Sequence, residues 1–459
     1  MSTSCSRGIR IGSSAFLLLN ILFAWNSTGK LDAQVIDTGI QRAVGGVSID
    51  AAGLLNTAQV DALGELAKLR SVAAGKAPEG LKAAADMRKV SLRGLEEAIA
   101  ECAKNHQPLP GEIKYLAGLQ RIRFVFVYPE EKDIVLAGPG EGWKVDAQGN
   151  VVGLTTGRPV LQLDDLLTAL RSAMSAAQGG GIRCSIEPTK EGMARLNQLM
   201  ASTKRIVNYE AEMKAREEAV GMQQIIVEGV PASSHFARIL VAADYRMKRI
   251  GMGFEPAPQG VKLPSYLQML PLTAAASHTP RWWMEPKFDA ILKDPSGMAW
   301  ELRDSGVQTL SDEDFVNAQG DRQHTGKPNQ LAKRWADTMT KEYPALAVAE
   351  PIFGELQNCM ELAVVAALVV KERLPDRAGN SLPVLFSSTD VKTEAFNAPK
   401  QVASQASLLR KAGKGAAISV SGGVSINAWN IADKAQSSDA VAAIRAKAAS
   451  NNHASWWWN

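Results

Sequence analysis

The chain has 459 residues, of which 46% are hydrophobic and 21% charged, with a formal charge of +4. That is the composition of an ordinary globular protein, long enough for two or three domains around sizeable cores. A balance this close to neutral excludes a general electrostatic footprint for nucleic acid or an anionic membrane.

Residues Phe16 to Trp25 form a short apolar run preceded by Arg7 and Arg10 and followed by Leu31-Asp32-Ala33. A basic region, an apolar region and a small residue at a cleavage point predict a secretory signal peptide over residues 1–33. Cleavage is expected after Ala33, with Gly29–Lys30 as the other site. A retained anchor is the competing reading, but Ile9 to Trp25 falls short of the ~20 residues of a membrane span. Removing residues 1–33 lowers the formal charge to +2. The protein is therefore expected to be exported, periplasmic or extracellular, with no transmembrane span after signal removal.

An N-terminal α+β domain is expected over residues 34–180. Gly45 to Ala51 reads as a short strand entering a turn. Helices follow from Thr57 and from Ser91, the second with Leu92, Leu95, Ile99 and Cys102 on one face. Arg121 to Tyr128 reads as a strand buried at one end. Trp143–Val145 and Val151–Leu154 flank Asp146-Ala-Gln-Gly-Asn150 as a hairpin. Asp164 or Asp165 then caps a helix running to about Ala177, and Gly179-Gly180-Gly181 marks an internal boundary.

A second α+β domain with long helices is expected over residues 181–375. Ile182–Ile186 and Gln224–Glu228 read as strands. Thr189 caps a long helix, and Ser233 or Ser234 starts another with Phe236, Leu240, Ala243, Met247 and Ile250 along one face. Met298–Arg303 and Val307–Leu310 read as a hairpin around Asp304-Ser-Gly306, with Ser311 and Asp314 as a capping box for a further helix. Residues 355–373 make the most apolar helix. Strands and helices alternate irregularly, which predicts α+β architecture with mixed or antiparallel sheets and hairpins packed by helices, not a doubly wound sheet.

Residues 376–459 are rich in Ala, Ser and Gly and read as a tail with one short strand at 422–428. That strand, Gly422-Gly-Val-Ser-Ile-Asn-Ala428, repeats Gly45-Gly-Val-Ser-Ile-Asp-Ala51 at six of seven positions. Edge-to-edge pairing of the two copies is the favoured expectation, and a remnant of duplication is the alternative. Trp456, Trp457 and Trp458 need a cover, on the protein itself or on a partner. Cys102, Cys184 and Cys359 sit singly in apolar patterns and read as buried thiols, with one disulfide as the alternative.

Phosphate-binding loops, zincin, EF-hand and CxxC patterns and nucleophile elbows are missing. No two of the five histidines stand at metal-ligand spacing, so no metal and no cofactor is expected. Two candidate binding places remain. On the helix from Ser233, the face opposite the apolar stripe carries His235, Arg238, Arg246 and Arg249, with Asp244 and Lys248 one turn apart. Such a face suits an anionic ligand such as a carboxylate or acidic glycan, although a solvated helix face with an i,i+4 ion pair is the favoured account of it. In Pro280-Arg-Trp-Trp-Met-Glu-Pro286, adjacent tryptophans must point in different directions; one of Trp282 and Trp283 belongs in the core, and the other is a candidate for stacking on a sugar or a partner.

Phe236 to Phe254, Pro280-Arg-Trp-Trp-Met284 and Val348 to Leu356, together with Gly45-Gly-Val-Ser-Ile-Asp50 and Gly157 to Asp165, resemble a bacterial family of secreted proteins of unknown function. The resemblance covers most of residues 40–375. It implies secretion and one extended unit, and it carries no activity or catalytic residues across. The expectation is a non-catalytic binding or structural protein of the periplasm or cell surface, with an envelope polysaccharide or a protein as partner. The alternative is a hydrolase on cell-envelope material, with His235 or Asp244 as acid/base and Arg246 or Arg249 holding an anion.

Overall fold

The computed structural model describes residues 43–44, 47–57, 65–203, 207–271, 277–278, 280–316, 322–324, 329–387, 391–411, 414–418, 420–449 and 455–459. The expected signal segment lies outside these described residues.

The α+β reading holds. A ten-stranded sheet runs in the order Ala43–Val44, Val47–Ile49, Leu54–Thr57, Gln401–Ala403, Met222–Glu228, Ile182–Pro188, Ser421–Ile426, Pro280–Lys287, Gly306–Val316, Arg322–His324. A seven-stranded sheet runs Gln436–Ser437, Ala290–Lys293, Ala299–Arg303, Phe124–Tyr128, Asp133–Gly140, Ala85–Ser91, Trp457–Trp458. Parallel and antiparallel pairs occur in both. Strands from before residue 180, from 181–375 and from beyond 376 lie side by side in the larger sheet.

Helix Pro351–Lys371 runs through the core. Its apolar residues cover every face of the helix, so helical periodicity predicts burial all round, and Ile352 through Val369 are buried. It is the one described helix long and apolar enough to cross a membrane, and its apolar window is wholly buried inside the protein. Helices Leu163–Gln178, His235–Gly251 and Gln330–Ala349 pack against it.

Several local expectations give way to tertiary pairing. Val307–Leu310 does not pair with Met298–Arg303. The chain leaves the seven-stranded sheet at Arg303, turns through Asp304 in the left-handed region (φ 44) and enters the ten-stranded sheet at Gly306. The turn chemistry was legible, but the partners come from elsewhere. Ser311 caps no helix, because it lies opposite Trp282 in the strand pair with Pro280–Lys287. Thr57 ends a strand. The helix from Thr189 stops at Ser202, and a second helix, Tyr209–Val220, begins at an Asn208 cap.

The C-terminal region carries far more structure than the single strand expected for 422–428. It also supplies Gln401–Ala403, Ser407–Lys411, Lys414–Ile418 and helices Ala428–Ala432 and Asp439–Ala448. Its low hydrophobicity misled because much of it pairs through backbone. The Val47–Ile49 and Ser421–Ile426 strands share the larger sheet, yet four other strands separate them, so the repeated segments do not pair. The second copy needs its glycines for close approach: a Cβ on Gly422 would stand 1.9 Å from the Trp282 carbonyl oxygen, and one on Gly423 1.8 Å from that of Cys184. Cys102, Cys184 and Cys359 are free thiols, and Trp457–Trp458 pairs with Lys89 and Val90 at a sheet edge.

Candidate functional site

Helix His235–Gly251 begins at Ser234, whose hydroxyl accepts from the Ala237 amide at 3.1 Å. Its apolar stripe is buried as the spacing requires, but so are Arg238, Asp244 and Lys248 on the side expected to be polar and open. The helix lies between Pro351–Lys371 and the strands Ile182–Pro188 and Ser421–Ile426, and it therefore has little solvated face.

Each charged group on it is matched inside the protein. Lys248 Nζ donates to Asp244 Oδ2 at 2.8 Å, to the Ile186 carbonyl at 3.1 Å and to the Gly422 carbonyl at 3.0 Å, joining the helix to two strands. Burial pushes the Asp244 carboxyl up to about 6 against the attraction of Lys248. Arg246 pairs with Glu255 and, at 3.1 Å, with Glu350. Arg249 donates to Glu255 at 2.5 Å and to Gln405 at 2.7 Å. The cation of Arg238 lies 4.7 Å from the Phe396 ring.

His235 faces away from Asp244 and belongs to a different cluster. Its Nδ1 is 3.1 Å from both oxygens of Asp165, seventy residues earlier on helix Leu163–Gln178. Burial pulls the imidazolium down, but Asp165, then Glu355 and Asp164, outweigh it, and its pKa is pushed up to about 9. Glu355 on helix Pro351–Lys371 is pushed up to about 7 by burial, with His235 opposing. Thus His235 and Asp244, the two acid/base candidates, do not converge.

Trp282 is fully buried, stacked on Trp335 with centroids 4.0 Å apart, and donates to the Ala332 carbonyl. Trp283 is half-buried, its ring 4.8 Å from the Arg281 cation. The alternation expected of an extended segment is thus realised in strand Pro280–Lys287.

A concave site exists elsewhere, in residues that sequence reasoning passed over. A cavity of about 340 Å³ opens where the turn at Asp304–Gly306 meets helices Gln330–Ala349 and Pro351–Lys371. Tyr343, Pro344, Pro159 and Val307 give part of its lining an apolar character, Arg121, Arg158 and Lys287 bring positive charge, and Asp289 and Asp304 bring negative charge. Arg121 is committed to Glu361 and to Ser305, and the Ser305 hydroxyl also meets Glu361. Gln357 donates to the Ser305 carbonyl at 2.7 Å, and Asn358 to that of Pro159 at 3.1 Å, so the lining is held in place. The Arg158 guanidinium makes no hydrogen bond or ion pair among the described residues. Partial burial and the like charge of Arg121 lower its pKa, against the pull of Glu361. A negative group placed there would relieve that repulsion. No periodic or motif signal marks these residues, because six separate segments supply them. Among the described residues no group of His, Cys, Asp and Glu is arranged to hold a metal ion.

No curated protein and no solved structure matches the chain. Residues 184–266, which include helix His235–Gly251, match a family described as a protein of unknown function, DUF1598.

Proposed function

We propose that this is a non-catalytic binding protein that acts after export, at the periplasm or cell surface, and that its ligand carries an anionic group held in the cavity beside Arg121 and Arg158. The carrying observation is the Arg158 guanidinium, which has no partner among the described residues, at a cavity whose other arginine is already neutralised by Glu361. Charged groups placed in a preformed concavity fix a ligand's orientation, and a guanidinium matches a carboxylate or phosphate in two-point fashion. An envelope polysaccharide bearing acidic groups has the right chemistry. Export rests on the apolar segment Phe16–Trp25.

The test is calorimetric titration with acidic oligosaccharides and with small di- and tricarboxylates, on the wild type and on Arg158→Ala. Binding that weakens with salt and is lost in the variant supports the reading; equal binding by both proteins removes Arg158 from it. A second reading, hydrolysis, draws support from the Asp165–His235 contact, which has the geometry of an acid orienting a base. That pair is closed over by neighbouring chain and lies outside the cavity.

A further inference from the structure

Three side chains lining the cavity are amides, and the orientation of each is forced. Gln120 Nε2 donates to Glu141 Oε1 at 3.0 Å and to Thr156 Oγ1 at 2.6 Å. Gln357 Nε2 and Asn358 Nδ2 donate to the Ser305 and Pro159 carbonyls. A carboxylate or carbonyl oxygen can only accept, so the NH2 end of each amide must face its partner and the oxygen end is left over. None of the three oxygens accepts a hydrogen bond among the described residues. Gln120, Gln357 and Asn358 are only 3%, 8% and 6% exposed, and a carbonyl so enclosed is costly to leave without a donor. The hydroxyls of the lining cannot supply one. Tyr343 donates to the Phe353 carbonyl, Thr340 to the Ala336 carbonyl and Ser305 to Glu361.

The charges at the mouth carry the same message. Asp289 and Asp304 are exposed on the rim, and their carboxylates make no hydrogen bond or ion pair among the described residues. A ligand with several negative groups would satisfy Arg158 and then meet two carboxylates and three carbonyl oxygens, which repel it. A ligand with one anionic group and a cluster of N–H donors meets a partner at each place. We propose that the ligand of this cavity is zwitterionic, with an anionic group at Arg158 and an ammonium received by the amide oxygens and the Asp289 and Asp304 carboxylates. The inference rests on the reading of this cavity as an anion-binding ligand site and narrows the class from acids to amino acids in the broad sense. A volume of about 340 Å³ stands near the small end of ligand pockets, so the fitting molecule is the size of an amino-sugar acid or a dipeptide.

The test is calorimetric titration of the full chain with two matched pairs of probes. Muramic acid is compared with N-acetylmuramic acid, whose amine carries no charge. Alanyl-alanine is compared with lactoyl-alanine, in which a hydroxyl replaces the ammonium. In at least one pair the zwitterion is expected to bind on the order of tenfold more tightly than its partner. The pair that shows it distinguishes an amino-sugar acid from a peptide. The Asp289→Asn and Asp304→Asn double variant, altered at exposed positions only, is expected to lose that preference and bind both members alike. Acids that bind as tightly as their zwitterionic partners overturn this inference and leave the anion site standing. A preference that survives in the double variant overturns it too, because the ammonium is then read elsewhere. Absence of binding by all four probes, or binding unchanged in Arg158→Ala, overturns the anion site and this inference with it.

Discussion

Helix His235–Gly251 and the cavity at Arg158 both carry arginines beside acids, yet they differ in how the charge is closed. On the helix, Arg246 and Arg249 meet Glu255, Lys248 meets Asp244, and His235 meets Asp165. In the cavity Arg121 has Glu361, while Arg158 beside it has no partner among the described residues. Charge matched inside the fold holds elements together, and removing one member leaves the other buried and uncompensated. Charge left open costs the fold little and is available to a ligand. The comparison separates a structural helix from a candidate site more sharply than residue type does.

The largest effect is expected at the buried pair. Asp244→Ala strands the Lys248 ammonium between helix and sheet, and urea unfolding should show a loss of ~3–5 kcal/mol. A loss below about 1 kcal/mol would mean that the ammonium finds water or another partner, and the contrast between the two regions would fail.

Asp165→Asn should come next, with a pH signature. His235 has a folded pKa of about 9, above its unfolded value, so the stability it contributes is complete below about 6.5 and is lost as pH rises through about 9. The variant should lose about 3 kcal/mol at pH 6 and little at pH 10, which unfolding curves at the two pH values can check. A loss that is the same at both pH values would place the role of Asp165 in packing.

Glu355 works in the opposite sense. Its folded pKa is raised to about 7 by burial, so ionisation costs stability as pH rises from about 4.5 through 7. Glu355→Gln removes that cost, and also a charge that supports His235. A net gain of about 1 kcal/mol at pH 8, and none at pH 4, is the expected outcome.

The smallest effect on stability is expected at the cavity. Arg158→Ala should change the thermal midpoint by the equivalent of less than about 0.5 kcal/mol, whereas Arg249→Ala, which loses Glu255 and Gln405, should cost about 1–2 kcal/mol. If Arg158→Ala destabilised as strongly as Arg249→Ala, Arg158 would be part of the scaffold and the site would lose its distinguishing feature.

Much of the framework was legible. The apolar stripe of Phe236, Leu240, Met247 and Ile250 announced a packed helix, the run near 355–373 announced a core helix, and adjacent Trp282 and Trp283 had to diverge. Those inferences rest on periods of 3.6 and 2, which belong to the local chain. The candidate site was much less legible. Arg246 finds Glu350 more than one hundred residues on, and His235 finds Asp165 seventy residues back. The polar face of the helix was open to two readings, and only its neighbours in space decide between them. The C-terminal region was misjudged for a related reason: the Ser421–Ile426 strand is made by glycines that let three backbones approach, and composition alone reads glycine as flexibility.

The sequence by itself determined that this chain is an α+β protein, because hydrophobic periodicity and turn residues act over a few neighbours. It also determined where its strongest helices and strands lie. The tertiary structure alone decided which strands pair, which cations are neutralised and where a cavity remains. Those outcomes depend on side chains brought together from distant segments, and electrostatic partnership acts over a few ångströms of space whatever the separation along the chain.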